Sequence, residues 1–231
     1  MLHSATELIG YKIIAYGVNA GKVYDFLFDD AEWSIRYLVL NIMPWPMKRL
    51  VSISPTSIQQ PDHANCLIPV SLTKDQIKSS PRVEVYRSVY RYQQVDSYIF
   101  PLPLGMGMGG ALLVHRRGVP PTYEDDPHVR STKEVIAYHI IATDGEIGYV
   151  DDFIADDHGW IISCLAAVHI QNSSSMRKAM IMPQTIKEIR WKEERIYVSL
   201  LREDIDKSFK YHPAGQLNHG DLSRKPGALK R

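Results

Sequence analysis

One stretch of this chain, Gly21–Leu40 (GKVYDFLFDDAEWSIRYLVL), returns at Gly148–Ala167 (GYVDDFIADDHGWIISCLAA), and that return constrains the fold more than any other feature. Laid over one another without a gap, the copies agree at Gly21/Gly148, Val23/Val150, Asp25/Asp152, Phe26/Phe153, Asp29/Asp156, Asp30/Asp157, Trp33/Trp160, Ile35/Ile162 and Leu38/Leu165. Two later blocks repeat in the same order: Pro55–Ile58 (PTSI) answers Pro183–Ile186 (PQTI), and Val70–Leu72 answers Val198–Leu200. A duplicated unit of about 70–80 residues is too long for a solenoid repeat and suits a small domain.

Within the stretch, polar and apolar residues alternate with a period of two and are rich in aromatic and β-branched types. That pattern predicts two strands joined by a hairpin loop at Asp29–Glu32. Pairing Phe28 with Trp33 sets Phe26 opposite Ile35 and Tyr24 opposite Tyr37, an aromatic face whose cross-strand pairs contribute roughly 0.2–1 kcal/mol each. On the other face the same register sets Asp25 opposite Arg36, a cross-strand ion pair or a recognition pair for a ligand. Around the hairpin we expect strands at Gly10–Ala15, Leu50–Ile53, Asn65–Val70 and His139–Thr143. Turns are expected at Val18–Gly21 and Ser54–Ser57, and Met1–Leu8 reads as a lead-in. Thr73 caps a single helical turn that Pro81 stops. Nothing supports a long helix. The unit is all-β, and a small closed barrel is the economical form because it leaves no sheet edge open.

The expected organisation is a first barrel over 1–80, a linker over 81–130, a second barrel over 131–210 and a flexible basic tail over 211–231. The linker carries Tyr86, Tyr90, Tyr92 and Tyr98 and then Gly105–Gly110, which spells G-x-G-x-x-G. Prolines flank that glycine run on both sides, so the strand and helix that a dinucleotide loop needs are missing.

A chain of 231 residues with 45% hydrophobic and 23% charged residues is of ordinary globular composition. Its formal net charge of +1 argues against a nucleic-acid footprint over the whole surface, although the tail is locally basic. Apolar runs such as Tyr37–Ile42 are far shorter than the roughly 20 residues of a membrane span. The N-terminal residues lack the basic-then-apolar pattern of a signal peptide. Cys66 and Cys164 occupy non-equivalent places in the copies, as expected of reduced thiols in a cytoplasmic protein.

The residues G-K-V-x-D-F-L-x-D-D-x-x-W-x-I-R-Y-L-V at Gly21–Val39, V-x-I-S-P-x-x-I at Val51–Ile58 and V-x-L-T-x-x-x-I-K-x-S-P at Val70–Pro81 resemble the PRC-barrel family. The second copy resembles it too, opening at Asp126–Thr132. It departs from the pattern where Ser163 and Cys164 replace Arg36 and Tyr37. The resemblance implies two small β-barrels in tandem that act as docking or assembly modules, as in the cytoplasmic domain of the photosynthetic reaction-centre H subunit and the C-terminal domain of a ribosome-maturation factor. It brings no common catalytic residues and no cofactor.

The expected function is therefore a non-enzymatic docking protein with a protein partner. Two alternatives stand beside it. One is an accessory role in photosynthetic reaction-centre assembly or electron transport. The other is an RNA- or ribosome-associated maturation role, for which the basic tail is the only hint. Assembly into a homo-oligomer is compatible with either. The binding residues expected are Trp45, Arg36, Asp25, Tyr92 and Tyr98. Trp45, between two prolines, either folds back on the barrel or anchors a partner. Trp33 and Trp160 read as packing residues. Asp29-Asp30 and Asp156-Asp157 read as turn formers, since neither loop has the ligand spacing of a calcium loop. The histidines show no metal-ligand spacing, and no nucleophile elbow is present.

Overall fold

The computed structural model describes residues 1–43, 48–83, 128–169, 178–206 and 210–211. The first half contains β1 (Leu2–Ser4), α1 (Ala5–Leu8), β2 (Lys12–Ala15), β3 (Val18–Asp29), β4 (Ser34–Asn41), β5 (Leu50–Ile53), β6 (Leu67–Val70) and α2 (Lys74–Ser79). The second half repeats the order with β7 (Val129–Ser131), α3 (Thr132–Val135), β8 (His139–Ala142), β9 (Gly145–Asp156), β10 (Ile161–His169) and β11 (Lys178–Ile181). It ends in β12 (Ile186–Arg190), β13 (Arg195–Val198), α4 (Arg202–Asp206) and β14 (Lys210–Tyr211). The chain is predominantly β, as expected, and its helices are short. The cap expected at Thr73 is present, and the structure makes it a full capping box: Thr73 accepts from the Gln76 amide, and the Gln76 side chain accepts from the Thr73 amide.

The expected separation into two closed barrels is not what the ladders form. All the described strands belong to one mixed sheet that is not closed, running β12-β13-β8-β9-β10-β4-β3-β2-β6 along its main path. Its centre is the meeting of the two hairpins. Ser34 pairs with Ile161, the Ile35 amide donates to the Trp160 carbonyl at 2.7 Å, and the Ile162 amide donates to the Trp33 carbonyl at 2.7 Å. Each half keeps its own long antiparallel hairpin (β3–β4, β9–β10) and one parallel pairing (β2–β6, β8–β13).

The halves also exchange their opening segments. β1 pairs with β9 of the other half (Leu2 with Asp156, His3 with Ala155, Ser4 with Ile154). β7 pairs with β3 in the matching register (Val129 with Asp29, Arg130 with Phe28, Ser131 with Leu27). The residues read as a lead-in are thus core: Leu2, Ala5 and Leu8 are all buried. The main hydrophobic core runs through both halves, with Phe28 against Phe153 at 5.2 Å and Phe26 against Trp160 at 6.1 Å, and two smaller clusters flank it.

The hairpin register differs from the expected one for a local reason. Trp33 and its twin Trp160 adopt left-handed backbone (φ +55° and +53°), and the four-residue loop slides one position along the chain, to residues 30–33 between the paired Asp29 and Ser34. Phe28 then pairs with Ile35, and a β-bulge between Leu27 and Phe28 leaves Arg36 without an opposite number. A second bulge at Tyr24 reverses the alternation. Phe26 and Phe28 enter the main core, while Tyr24 packs on a separate cluster with Leu27, Val39, Leu50, Val83 and Val129. Asp25 consequently lies opposite Val39, not Arg36.

Candidate functional site

The polar residues that matter most lie along the line where the halves meet. Asp25 is 5% exposed and accepts four hydrogen bonds: from the Ser131 hydroxyl at 2.6 Å, the Phe26 amide at 2.8 Å, the Thr132 hydroxyl at 3.0 Å and the Lys133 amide at 3.4 Å. Asp152 mirrors it, accepting from the Ser4 hydroxyl, the Thr6 amide at 3.0 Å and the Phe153 amide at 2.7 Å. Ser4 and Ser131 are the N-caps of α1 and α3, each accepting from the amide of the glutamate three residues on. Each cap hydroxyl therefore accepts from its own helix and donates to the buried aspartate of the opposite half. Burial pushes both aspartates above the ordinary carboxylate range, against the pull of these hydrogen bonds.

Each exchanged segment ends on the acidic turn of the opposite hairpin, and here the halves diverge. In the first hairpin Asp29 accepts from Arg36 at 2.8 Å and from the Ala31 and Glu32 amides at 2.9 Å each. Burial acts to raise its carboxyl, but the Glu32 amide, Arg36 and the Ala31 amide outweigh it and hold the carboxyl low. Asp30 faces Arg130 at 3.4 Å and His128 at 2.9 Å. Arg130 in turn lies over the Trp191 ring at 4.4 Å.

In the second hairpin the arginines are gone. Ser163 stands where Arg36 does, and His3 stands where Arg130 does. Asp156 and Asp157 are met by the Met1 amino group and His158, and Asp157 also faces His3 Nε2 at 3.1 Å. His3 is 2% exposed. Its other ring nitrogen lies 3.0 Å from His63 Nε2, and the rings stack at 5.1 Å. His63 Nδ1 lies 3.1 Å from the Tyr11 hydroxyl and 3.2 Å from Glu7 Oε1. The result is a continuous chain, Asp157–His3–His63–Glu7/Tyr11, through the interface. Burial lowers His3 below the ordinary histidine range, with Asp157 opposing. Asp157 is held low: burial would raise it, but the Met1 amine and His3 outweigh burial. Beside this chain opens a cleft of about 420 Å³ lined by Met1, Ile58, Gln59, Gln60, Asp157, His158 and Trp160.

A second asymmetry lies at the β2–β3 turn. Tyr16 and Gly17 both take positive φ, and Tyr16 and Val18 are 73% and 51% exposed. The corresponding turn of the second half is tied down. The Arg202 amide donates to Asp144 at 2.9 Å, the Arg202 side chain pairs with Asp144 at 3.5 Å, and the Thr143 amide donates to the Leu200 carbonyl at 3.0 Å.

Of the expected binding residues, Arg36 stands on the surface, half exposed, held by Asp29 and Glu32. Asp25 is not its partner and is not on the surface. Trp45, Tyr92 and Tyr98 lie outside the described residues. Trp160 is buried, and Trp33 packs partly buried on the same core. The roles of Ser4, Ser131, His3 and His63 were not read from the sequence. A signal for two of them was there: Ser4-x-x-Glu7 and Ser131-x-x-Glu134 are matching cap sequences 127 positions apart (131 − 4). A scan against protein-family models and a search of curated proteins both return no match for the chain.

Proposed function

We propose that this chain is a non-enzymatic docking protein, built from two PRC-barrel-type halves, that holds a protein partner through the β2–β3 turn of its first half. The observation that carries the reading is the exposed Tyr16–Val18 turn. A large aromatic and a valine stand out in solvent at a tight two-residue turn with positive φ at both positions, where the matching turn of the other half is closed by Arg202. Rigid, exposed aromatic side chains are the residue type that anchors protein contacts. The reading is further supported by the use of the buried carboxylates. Asp25 and Asp152 are taken up in holding the halves together, which leaves them no part in chemistry on a substrate.

The test is affinity capture from native-source lysate with the wild-type chain and with Tyr16→Ser, with and without nuclease. A stoichiometric protein that survives nuclease and is lost with Tyr16→Ser, at an unchanged melting temperature, is the expected result. Retention of the same partner by Tyr16→Ser would remove the turn from the interface. Loss of all partners on nuclease treatment would favour the RNA-associated reading, and that binding would fall steeply with salt.

A further inference from the structure

We propose that the His3–His63 contact is an acid-sensitive latch that holds the β1–α1 segment onto the second half and releases it on acidification. The proton positions follow from the partners. Asp157 is ionised, so it accepts a hydrogen bond from His3 Nε2, 3.1 Å away. A neutral His3 then has its lone pair on Nδ1, and His63 Nε2, at 3.0 Å, must be the donor. A neutral His63 uses Nδ1 to accept from the Tyr11 hydroxyl.

With a proton on His63 Nδ1, that nitrogen donates to Glu7 Oε1 at 3.2 Å, the Tyr11 hydroxyl turns its proton to the same carboxylate at 3.4 Å, and the His3–His63 contact survives. A second proton has only His3 Nδ1 to occupy. Two N–H groups on two cationic rings then face each other across 3.0 Å, and neither can accept. The other charged groups around the pair do not offset this. The Met1 amine adds positive charge beside Asp157. Asp156 and His158 are engaged with that amine and with each other, and Asp62 faces His63 from solvent. Trp160, 6.4 Å from His3, is neutral. Because His3 sits in the middle of β1, the strain falls on the pairing of Leu2–Ser4 with β9. Burial holds His3 low, as noted above. A histidine lowered in the folded state contributes stability that is complete above its ordinary value near 6.5 and is lost as pH falls from there to the lowered value.

The molecule carries its own control. In the twin position Arg130 replaces His3 and Trp191 lies under it, a permanent cation on a neutral ring with no proton to gain. His128 also faces Asp30, but it is an exposed flank of that contact and does not lie within it.

The test is hydrogen exchange of the full chain between pH 7.5 and 5, read as protection factors in peptides covering residues 2–9 and 129–136. Protection of 2–9 should fall severalfold over this range, while 129–136 holds. His63→Phe, which removes the facing cation but leaves His3 buried, should make the loss in 2–9 at pH 5 smaller than in the wild type. A parallel loss of both segments, an unchanged 2–9 segment, or the same loss in His63→Phe would each overturn the latch. Should His63→Phe fold poorly, His3→Arg copies the twin directly and, with no titrating group left at that position, must abolish the pH dependence of 2–9.

Discussion

At Asp25, truncation to alanine strips the Ser131 and Thr132 hydroxyls and two amides of their common acceptor inside the protein. Leaving buried donors unpaired costs roughly 1–3 kcal/mol each where they cannot rehydrate, so Asp25→Ala should lower stability by about 3 kcal/mol or more in a denaturant melt. Asp152→Ala should do the same, and Arg36→Ala, which breaks a half-exposed pair, should cost about 1 kcal/mol or less. The two aspartates also set a pH dependence of their own. A carboxyl raised in the folded state favours folding most below its ordinary value of 3.8, and that contribution drains away as pH rises toward the raised value. Asp25→Asn cannot titrate. The stability gap between wild type and Asp25→Asn should therefore narrow as pH rises from about 4, which melts across a pH series will show.

Gly21 shows how the hairpin is fixed at the level of the strand. It sits at φ +140°, and a Cβ there would lie 2.6 Å from the Asn41 carbonyl oxygen of β4. Gly21→Ala meets a backbone atom, which cannot swing aside as a side chain does. It should destabilise the fold by about 2 kcal/mol, with the largest loss of amide protection in β3 and β4. Ala is harmless to a strand in general, so an unchanged melt would mean that the β3–β4 crossing is looser than described. α2 offers the milder comparison. Thr73→Ala removes one half of the capping box on an exposed one-turn helix and should cost about 1 kcal/mol.

For the whole molecule, the exchanged segments and the β4–β10 junction make the two halves one folding unit. β1 and α1 lend Leu2, Ala5 and Leu8 to the other side, and Phe28 meets Phe153 across the middle. A chain cut once at a protease site introduced between residues 100 and 110 should therefore remain a single species on size exclusion, with its parts separating only in denaturant. Parts that separate in native buffer would show that the seam is too weak to hold without the covalent link. Unfolding of the intact chain should be one transition, since a shared core leaves neither half a stable state of its own.

The sequence alone determined the repeat, the strand content, the hairpins and the Thr73 cap, because these rest on local pattern: period two along a strand, turn residues between strands, a cap sequence before a helix. It also placed the tryptophan pair in the core. It could not determine the register, because the loop ending in the left-handed Trp33 moves the partner of Phe28 by two positions and the bulges at Arg36 and Tyr24 each shift pairing by one, and a shift of one turns the side chains beyond it to the other face. For that reason Asp25 moved from a surface pair with Arg36 to a buried seat under Ser131. Nor could a local pattern reveal that each half lends its first segment to the other. That pairing joins residues more than a hundred positions apart, and only the packed fold brings Ser4 to Asp152, Ser131 to Asp25 and His3 to Asp157.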